Sequence, residues 1–317
     1  MATLDALDKR IQELHSARFK EFETEVVRLK SMNDRAAKFE AGREKRRREF
    51  LQSIGNNLKN MDAEQAKDLK VQEKELKEYL AEFRPRAEKR PSLGAVDAKE
   101  ASLRRSVLGE TKSLVLPVFA SSIYAADKAT LGGISGVTGD GAINSGWVFP
   151  DQPGKLKIKD TAHFPIICFQ AGGGGNPPEG QFHFTFVPAT TATYEMTAVI
   201  VFHGFYILRS DDSWYNCREA GVKLTASMNA NQFVDIGWRD FPALIDRNES
   251  NAEEVTTYDR TQFFDYTTVL KAGDPVVVTV KVVVKASARG GGAYSELNFE
   301  AGTANYIEPL FLSVQQV

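Results

Sequence analysis

The densest group of chemically versatile side chains is the segment Asp211-Asp212-Ser213-Trp214-Tyr215-Asn216, which follows a long β-rich stretch. Its polar residues predict a turn between strands. Carboxylates and aromatic rings on one turn can stack on a sugar ring, anchor a protein partner or hold calcium, although the spacing of an EF-hand is absent. Asp211, Asp212, Trp214 and Tyr215 are therefore candidate ligand-binding residues. The alternative is a capped turn in which Trp214 packs on the rim of the fold.

A basic run lies near the N-terminus, and its members are candidates for contact with an anion or an acidic partner. They are Arg43, Lys45, Arg46, Arg47 and Arg48. At about 100° per residue on a helix, these cations point in several directions rather than along one face. A solvated or salt-bridged stretch is the alternative, because a tight helical interface cannot bury unpaired guanidinium groups.

The histidines and glycines of the chain do not form a recognisable metal or phosphate site. His163, His183 and His203 lack the short spacings of metal ligands, and we expect them to lie apart. Gly172–Gly175 shares only its composition with a phosphate-binding loop, because prolines follow where such a loop requires a helix. The sequence therefore predicts no metal and no cofactor.

Catalytic motifs are also absent from the sequence. It has no nucleophile elbow, no zinc-protease motif and no dinucleotide-binding fingerprint. We therefore expect a protein that is not an enzyme. A glycan-active enzyme on a β-sandwich is an alternative, because a catalytic pair of carboxylates is assembled in space and leaves no trace in one sequence.

Composition restricts the partners and the compartment. Hydrophobic residues make up 42% of the chain and charged residues 26%, with a net charge of −2, as in ordinary soluble proteins. This charge balance makes nucleic acid an improbable partner. No apolar run is long enough for a transmembrane segment, and no signal peptide is recognised. We expect the protein to be synthesised as a soluble cytoplasmic protein. Its final location stays open, and release by a non-classical route is one possibility. Whether Cys168 and Cys217 form a disulfide also stays open.

Helical patterns dominate residues 1–83. Thr3 to Ile54 contains no proline and repeats apolar residues at helical spacing, until Gly55-Asn56-Asn57 interrupts the pattern. A second helix is predicted from Asp62 to Phe83, where Arg84-Pro85 ends it. The apolar stripes are narrow, so we expect the helices to pack between copies as a coiled-coil-like stalk, either extended or folded into a hairpin.

Residues 84–112 contain prolines and glycines and are predicted to form a linker with a short helix. Strand patterns occupy residues 113–317. The predicted strands are 114–119, 181–187, 194–208, 232–238, 261–270, 276–285 and 306–314, with loops at 132–146, 172–175, 246–250 and 290–292. Strands that succeed one another without helices predict an antiparallel, jelly-roll-like β-sandwich. The predicted fold class is therefore α+β with segregated domains, a helical stalk before a β-sandwich head.

Residues 180–317 are similar to the jelly-roll heads of the C1q and tumour-necrosis-factor type. The similarity rests on Phe184-Thr185-Phe186-Val187-Pro188, on Tyr194-Glu195-Met196, on the segment from Val269 to Val278 and on a final apolar strand from Tyr306 to Val314. The resemblance implies that the Tyr194 strand lies in the core and that the turn at Gly273-Asp274 leads into a central strand. It also implies a trimeric head that binds a partner.

These observations lead to the hypothesis of a non-enzymatic, oligomeric assembly and recognition protein. We expect a homo-oligomer, a trimer, in which the stalk drives oligomerisation and the head binds a protein, a glycan or a surface. Fibre, adhesin, effector and toxin-like roles fit this architecture. Two alternatives are a structural building block of a shell, fibre or injection device, and a pore-forming or membrane-active toxin.

Overall fold

The computed structural model describes most of the C-terminal part of the chain and scattered positions before it. The described residues are 122–134, 143–149, 152, 154–163, 177–210, 219–232, 237–290 and 292–317, together with 13, 20, 24, 38, 42, 45–46, 48–53, 55, 59–60, 63, 67, 70–71 and 74–82. Among them no helix has the length and apolar character needed to cross a bilayer.

Thirteen antiparallel strands occur in the described residues. They are β1 (Ser122–Tyr124), β2 (Lys128–Gly132), β3 (Ile143–Val148), β4 (Leu156–His163), β5 (Glu179–Phe186), β6 (Ala192–Ser210), β7 (Glu219–Asn231), β8 (Arg239–Asp240), β9 (Ile245–Glu249), β10 (Ala252–Leu270), β11 (Val276–Arg289), β12 (Tyr294–Asn298) and β13 (Tyr306–Gln316). Sheet A has the order β1-β13-β4-β12-β6-β10, with β3 beside β4, and sheet B has the order β2-β5-β11-β7-β8, with β9 on β7. The chain changes sheet at every step from β4 to β7 and from β10 to β12, as in jelly-roll sandwiches.

Strand β6 is buried on both faces, which explains its long apolar run. Phe202 and Leu208 point into the core between the two sheets. Phe205 and Ile207 point the opposite way, because side chains alternate along a strand, and yet they are fully buried as well. An element must therefore cover this part of the outward face of sheet A.

The helical residues 74–82 provide that cover. Leu76 and Tyr79 are buried against Phe205 and Ile207 of β6 and against Tyr294 of β12. The remaining faces of this helical stretch are largely exposed and carry charged side chains. Its apolar stripe is thus buried on the sheet.

The predicted fold class is wrong for the described chain, which is an all-β sandwich. The described residues are mostly β-strand, with no long N-terminal helix and no coiled coil, and their longest unbroken helical run is 74–82. The prediction failed because it assigned the apolar stripe of residues 62–83 to packing between helices, whereas Leu76 and Tyr79 pack on sheet A. The linker at 84–112 lies outside the described residues, and the domain boundaries stay predictions.

Most of the predicted strands of the head are confirmed. The segments 181–187, 194–208, 261–270, 276–285 and 306–314 fall on β5, β6, β10, β11 and β13. The loop predicted at 246–250 is wrong because β9 occupies it, and β3 begins within the loop predicted at 132–146. The described residues of the predicted strand 232–238, which are Gln232, Gly237 and Trp238, do not lie in a strand, and 114–119 lies outside the described residues.

Both packing features implied by the jelly-roll resemblance occur in the structure. Tyr194 is buried in the core, and β11 lies at the centre of sheet B between β5 and β7. Gly273 adopts a φ of 78°, which favours glycine, and its N–H donates to the carbonyl oxygen of Pro188 at 2.9 Å. This turn sets the start of β11.

Candidate functional site

A row of aromatic and charged side chains crosses the outward face of sheet A. Strand register places Trp147 opposite Lys157, and it places His203 between Tyr306 and Asp259. The chain neighbours of Lys157, His203 and Tyr306 lie in the core, so these side chains point outward. We call the following residues the aromatic–cation row: Trp147, Phe149, Lys155, Lys157, Tyr306, His203 and Asp259.

Two aromatic rings form one end of the row. Trp147 is 43% exposed, and its ring centroid lies 4.3 Å from that of Phe149, with the planes tilted by 41°. The turn after β3 brings Phe149 back beside β4, because the N–H of Phe149 donates to the carbonyl oxygen of Lys155 at 3.1 Å. The hairpin therefore presents two neighbouring rings at the surface.

Two lysines lie over the rings of the row. Lys155 Nζ lies 3.6 Å from the ring centroid of Tyr306 and 5.3 Å from that of Phe149. Lys157 Nζ lies 5.5 Å from the ring centroid of Trp147. Ammonium groups at these distances are attracted by the negative faces of the rings. Both ammonium groups thus lie next to rings of the row, and Lys155, which is half-buried, brings positive charge close to the surface.

Lys157 also has a structural role. Its side chain is buried, and Nζ donates to the carbonyl oxygens of Glu300, at 2.9 Å, and of Gly302. Burial lowers the pKa of Lys157, and the negative charge of Glu300 only partly opposes this. The lysine therefore fixes the turn between β12 and β13 beside the two rings.

A histidine–carboxylate pair forms the other end of the row. His203 Nδ1 lies 2.9 Å from Asp259 Oδ1, and the ring of His203 lies 4.8 Å from that of Tyr306. Asp259 is exposed on the outermost strand of the sheet. The row therefore has a polar end at His203 and Asp259 and an aromatic end at Trp147 and Phe149.

A buried hydrogen-bond network supports the turn that carries Glu300. Glu296 is fully buried, and it accepts hydrogen bonds from the hydroxyl of Tyr294 and, at 2.6 Å, from Asn298 Nδ2. Asn298 Oδ1 accepts the N–H groups of Glu300 and Ala301 at 2.7 and 2.8 Å. Glu300 then accepts a hydrogen bond from the hydroxyl of Ser145 on β3. Such a network restricts movement next to Trp147.

The structure does not test the residues predicted from sequence to bind a ligand. Asp211, Asp212, Trp214 and Tyr215 lie outside the described residues, as do Arg43 and Arg47 of the basic run. Lys45 and Arg46 are exposed helical residues, and Arg48 is a half-buried helical residue. The proposed roles of both groups stay predictions.

The three histidines of the head lie on three different strands, β4, β5 and β6. His183 lies in sheet B, where its two ring nitrogens are 3.1 Å from the hydroxyls of Thr130 and Thr279. His163 and His203 lie on different strands of sheet A. No group of three potential metal ligands occurs among the described residues.

Sequence reasoning missed the aromatic–cation row, although a signal was present. Trp147 and Phe149 are two residues apart, and so are Lys155 and Lys157. Two such pairs flanking a Pro- and Gly-containing turn predict a hairpin with rings and cations on one face. The signal was overlooked because no strand was predicted between residues 119 and 181.

Comparison with known proteins gives only distant similarities. No family model and no curated protein match the chain. A family 35 carbohydrate binding module from Clostridium thermocellum is 12% identical over 62% of this chain and 97% of its own, with a TM-score of 0.19. The module CBM6cm-2 from Cellvibrio mixtus lichenase 5A is 10% identical over 62% and 97%, with a TM-score of 0.20. Murine APRIL is 8% identical over 63% and 100%, with a TM-score of 0.18. At these TM-scores the similarities carry no information on what the chain binds.

Proposed function

We propose that this protein is a non-enzymatic recognition protein whose β-sandwich head binds a glycan on the aromatic–cation row. The observation that carries the proposal is the exposed ring of Trp147, paired with Phe149 and flanked by lysines. Single exposed apolar residues are common on proteins, but paired rings among fixed charges are typical of binding surfaces. The row is also held rigidly, which reduces the entropy lost on binding.

The chemistry of a sugar chain fits this surface. A pyranose has an apolar C–H face that packs on an aromatic ring, and a rim of hydroxyls that needs hydrogen-bond partners. Trp147 and Phe149 offer the ring surface, while Lys155 and Asp259 offer a donor and an acceptor further along the row. Trp147 and Asp259 are exposed and Phe149 and Lys155 are half-buried, so a sugar chain can contact these four side chains, whereas Tyr306 and Lys157 lie buried beneath the surface.

The state of the carboxylates supports binding without catalysis. Glu296 accepts hydrogen bonds on both oxygens, Glu300 accepts one from Ser145, and Asp259 pairs with His203. A glycosidase requires two carboxyl groups that face each other across the substrate, one of them as a proton donor. These three carboxylates are held instead by neighbouring side chains.

A glycan array probed with the full-length chain tests the proposal. We expect the native chain to bind a defined set of glycans and Trp147→Ala to lose at least ten-fold in affinity. Trp238→Ala is the matched control, because Trp238 also lies beside a lysine, with Lys281 Nζ 4.7 Å from its ring centroid, but on sheet B. Equal losses in both variants, or unchanged binding by Trp147→Ala, would contradict the assignment of the row. If the chain binds no glycan but binds a protein through Trp147, the ligand of the row is a protein and not a glycan.

A further inference from the structure

Strand β10 is the longest open edge among the described strands. It forms one margin of sheet A, where its 19 residues pair with β6 and with no other described strand. The other marginal strands are β1, β2, β3, β8 and β9, with two to six residues each. Proteins keep their edge strands short to avoid pairing with other chains, so a long open edge marks a place where pairing can occur.

Two large apolar side chains are exposed on the outward side of this edge, Phe263 near its middle and Val269 near its C-terminal end. Phe263 is 62% exposed and Val269 is 64% exposed. Two carboxylates flank Phe263 on the same side, but both turn toward β6. Asp259 pairs with His203 at 2.9 Å, and Asp265 Oδ1 accepts the hydroxyl of Thr197 at 2.7 Å. These two carboxylates therefore repel an approaching strand less than carboxylates that point away from the sheet edge would.

We propose that β10 pairs with β10 of a second copy of this chain, antiparallel, about a two-fold axis that passes through Phe263. An axis perpendicular to the sheet keeps equivalent faces together, so outward side chains meet outward side chains. Phe263 then faces Phe263 of the second copy, Thr261 faces Asp265, and Asp259 faces Thr267. The two exposed rings bury each other.

Avoidance of like-charge contacts and burial of the Phe263 ring together favour this register over its neighbours. With the axis at Thr261 or Phe264 no acid of β10 faces an acid, but Phe263 then faces Asp259 or Asp265 and not its own copy. With the axis at Asp259, Arg260 or Asp265, a charged residue faces its own copy. With the axis at Gln262, Asp259 faces Asp265, and directly opposed like charges destabilise a strand pair. With the axis at Phe263, no acid faces an acid and Arg260 faces Tyr266. This register therefore combines burial of the rings with the absence of repulsion.

Pairing through β10 joins the two A sheets into one and brings the two aromatic–cation rows together. Each row ends at Asp259, which is four residues from the proposed axis along β10. Because the axis is perpendicular to the sheet, both rows lie on the same face of the joined sheet. A dimer thus presents two equivalent binding surfaces side by side, which raises the avidity for a repeating ligand. The pairing itself does not depend on what the rows bind.

The mass of the full-length chain in solution tests the pairing. We expect a dimer at micromolar concentration, and we expect Phe263→Lys to raise its dissociation constant at least ten-fold, because two ammonium groups then face each other. Phe50→Lys is the matched control, since Phe50 is 61% exposed and lies outside the sandwich. A native chain that is a monomer or a trimer would overturn the proposal. So would a dimer that is dissociated by Phe50→Lys but not by Phe263→Lys.

Disulfide formation tests the register. Directly opposite residues of an antiparallel pair have Cα atoms about 4.5–5.5 Å apart, within the range of a disulfide. We therefore expect Phe263→Cys to form a covalent dimer on mild oxidation. Val269→Cys is expected not to do so, because its equivalent in the second copy lies about 40 Å away along the strands. The native chain, with Cys168 and Cys217, gives the background. Efficient crosslinking by Val269→Cys, or none by Phe263→Cys in a dimeric, folded variant, would overturn the register.

Discussion

Asp160 on β4 accepts a hydrogen bond of 2.7 Å from the backbone N–H of Ala286 on β11, and this bond joins sheet A to sheet B. Burial raises the pKa of the Asp160 carboxyl to about 7, although hydrogen bonds from the N–H groups of Ala286 and Thr161 and the charge of Lys285 oppose the shift. The folded protein therefore retains a proton here at pH values where the unfolded chain has lost it.

The first prediction concerns the pH dependence of stability that follows from Asp160. Below about pH 4 both states are protonated, and between about pH 4 and pH 7 only the folded state keeps the proton, so this group makes stability fall as pH rises. Across this range the free energy of unfolding falls by at most about 4 kcal/mol on account of Asp160, at about 1.36 kcal/mol per pKa unit. Asp160→Asn retains an acceptor for Ala286 and cannot ionise. Urea unfolding from pH 4 to pH 8 should show a smaller decline for Asp160→Asn than for the native chain, and parallel declines would refute the assignment.

The second prediction concerns Gly204, which lies on β6 beneath the ring of Phe299. A Cβ at this position would overlap that ring and lie 2.7 Å from the carbonyl oxygen of Asn298. We expect Gly204→Ala to lower the free energy of unfolding by about 1–3 kcal/mol, because the packed core cannot yield. Gly42→Ala is the control, since its Cβ would meet only the end of the Arg46 side chain, at 3.7 Å. Thermal melting compares the two, and similar melting temperatures would show that β6 can shift.

The third prediction concerns the helical stretch 74–82 on sheet A. Leu76 is buried there, and Arg209 of β6 lies 3.7 Å from Glu75 and 5.3 Å from the ring centroid of Tyr79. We expect Leu76→Ala to weaken the docking by about 2–3 kcal/mol, because it removes a buried side chain from a small contact. Hydrogen exchange should then be faster in residues 74–82 while the core strands keep their protection. Val71→Ala, at an exposed helical position, should leave exchange unchanged.

The fourth prediction separates the two lysines of the row. Lys157→Met removes the donor to the carbonyl oxygens of Glu300 and Gly302, and we expect a loss of about 1–3 kcal/mol in the free energy of unfolding. Lys155→Met should cost less, about 0.5–1 kcal/mol, because Lys155 is only half-buried and loses the attraction of its ammonium group to the rings of Phe149 and Tyr306. Denaturant unfolding measures both. Equal losses would mean that Lys155 also holds the hairpin.

The strands of the head were predictable because their apolar patterns are strong. Alternation in β5 and the long apolar runs of β6 and β11 indicate strands by themselves. Strand β9, Ile245–Glu249, was missed because its polar residues resemble a loop, and its pairing with β7 determines its conformation. The burial of Leu76 and Tyr79 depends on the outward side chains of a distant sheet, which local periodicity cannot reveal.

The candidate site was less predictable than the fold because it is assembled from five strands. Lys155 and Tyr306 are about 150 positions apart in the chain and meet only through the pairing of β4 with β13. The neighbouring His203 and Asp259 meet through the pairing of β6 with β10. Only the hairpin with Trp147 and Phe149 before its turn and Lys155 and Lys157 after it could have been singled out locally.

The docking of residues 74–82 also decides how the protein transmits mechanical force. Leu76 and Tyr79 attach this stretch to β6 and β12 in the middle of sheet A, whereas the described sandwich begins at the three-residue strand β1 on its margin. A pull on the chain ahead of residue 74 is therefore borne first by side-chain packing on the central strands. The short marginal strand β1 bears the pulling force only after that contact ruptures. The docked helical stretch therefore protects the sandwich from unfolding at its margin.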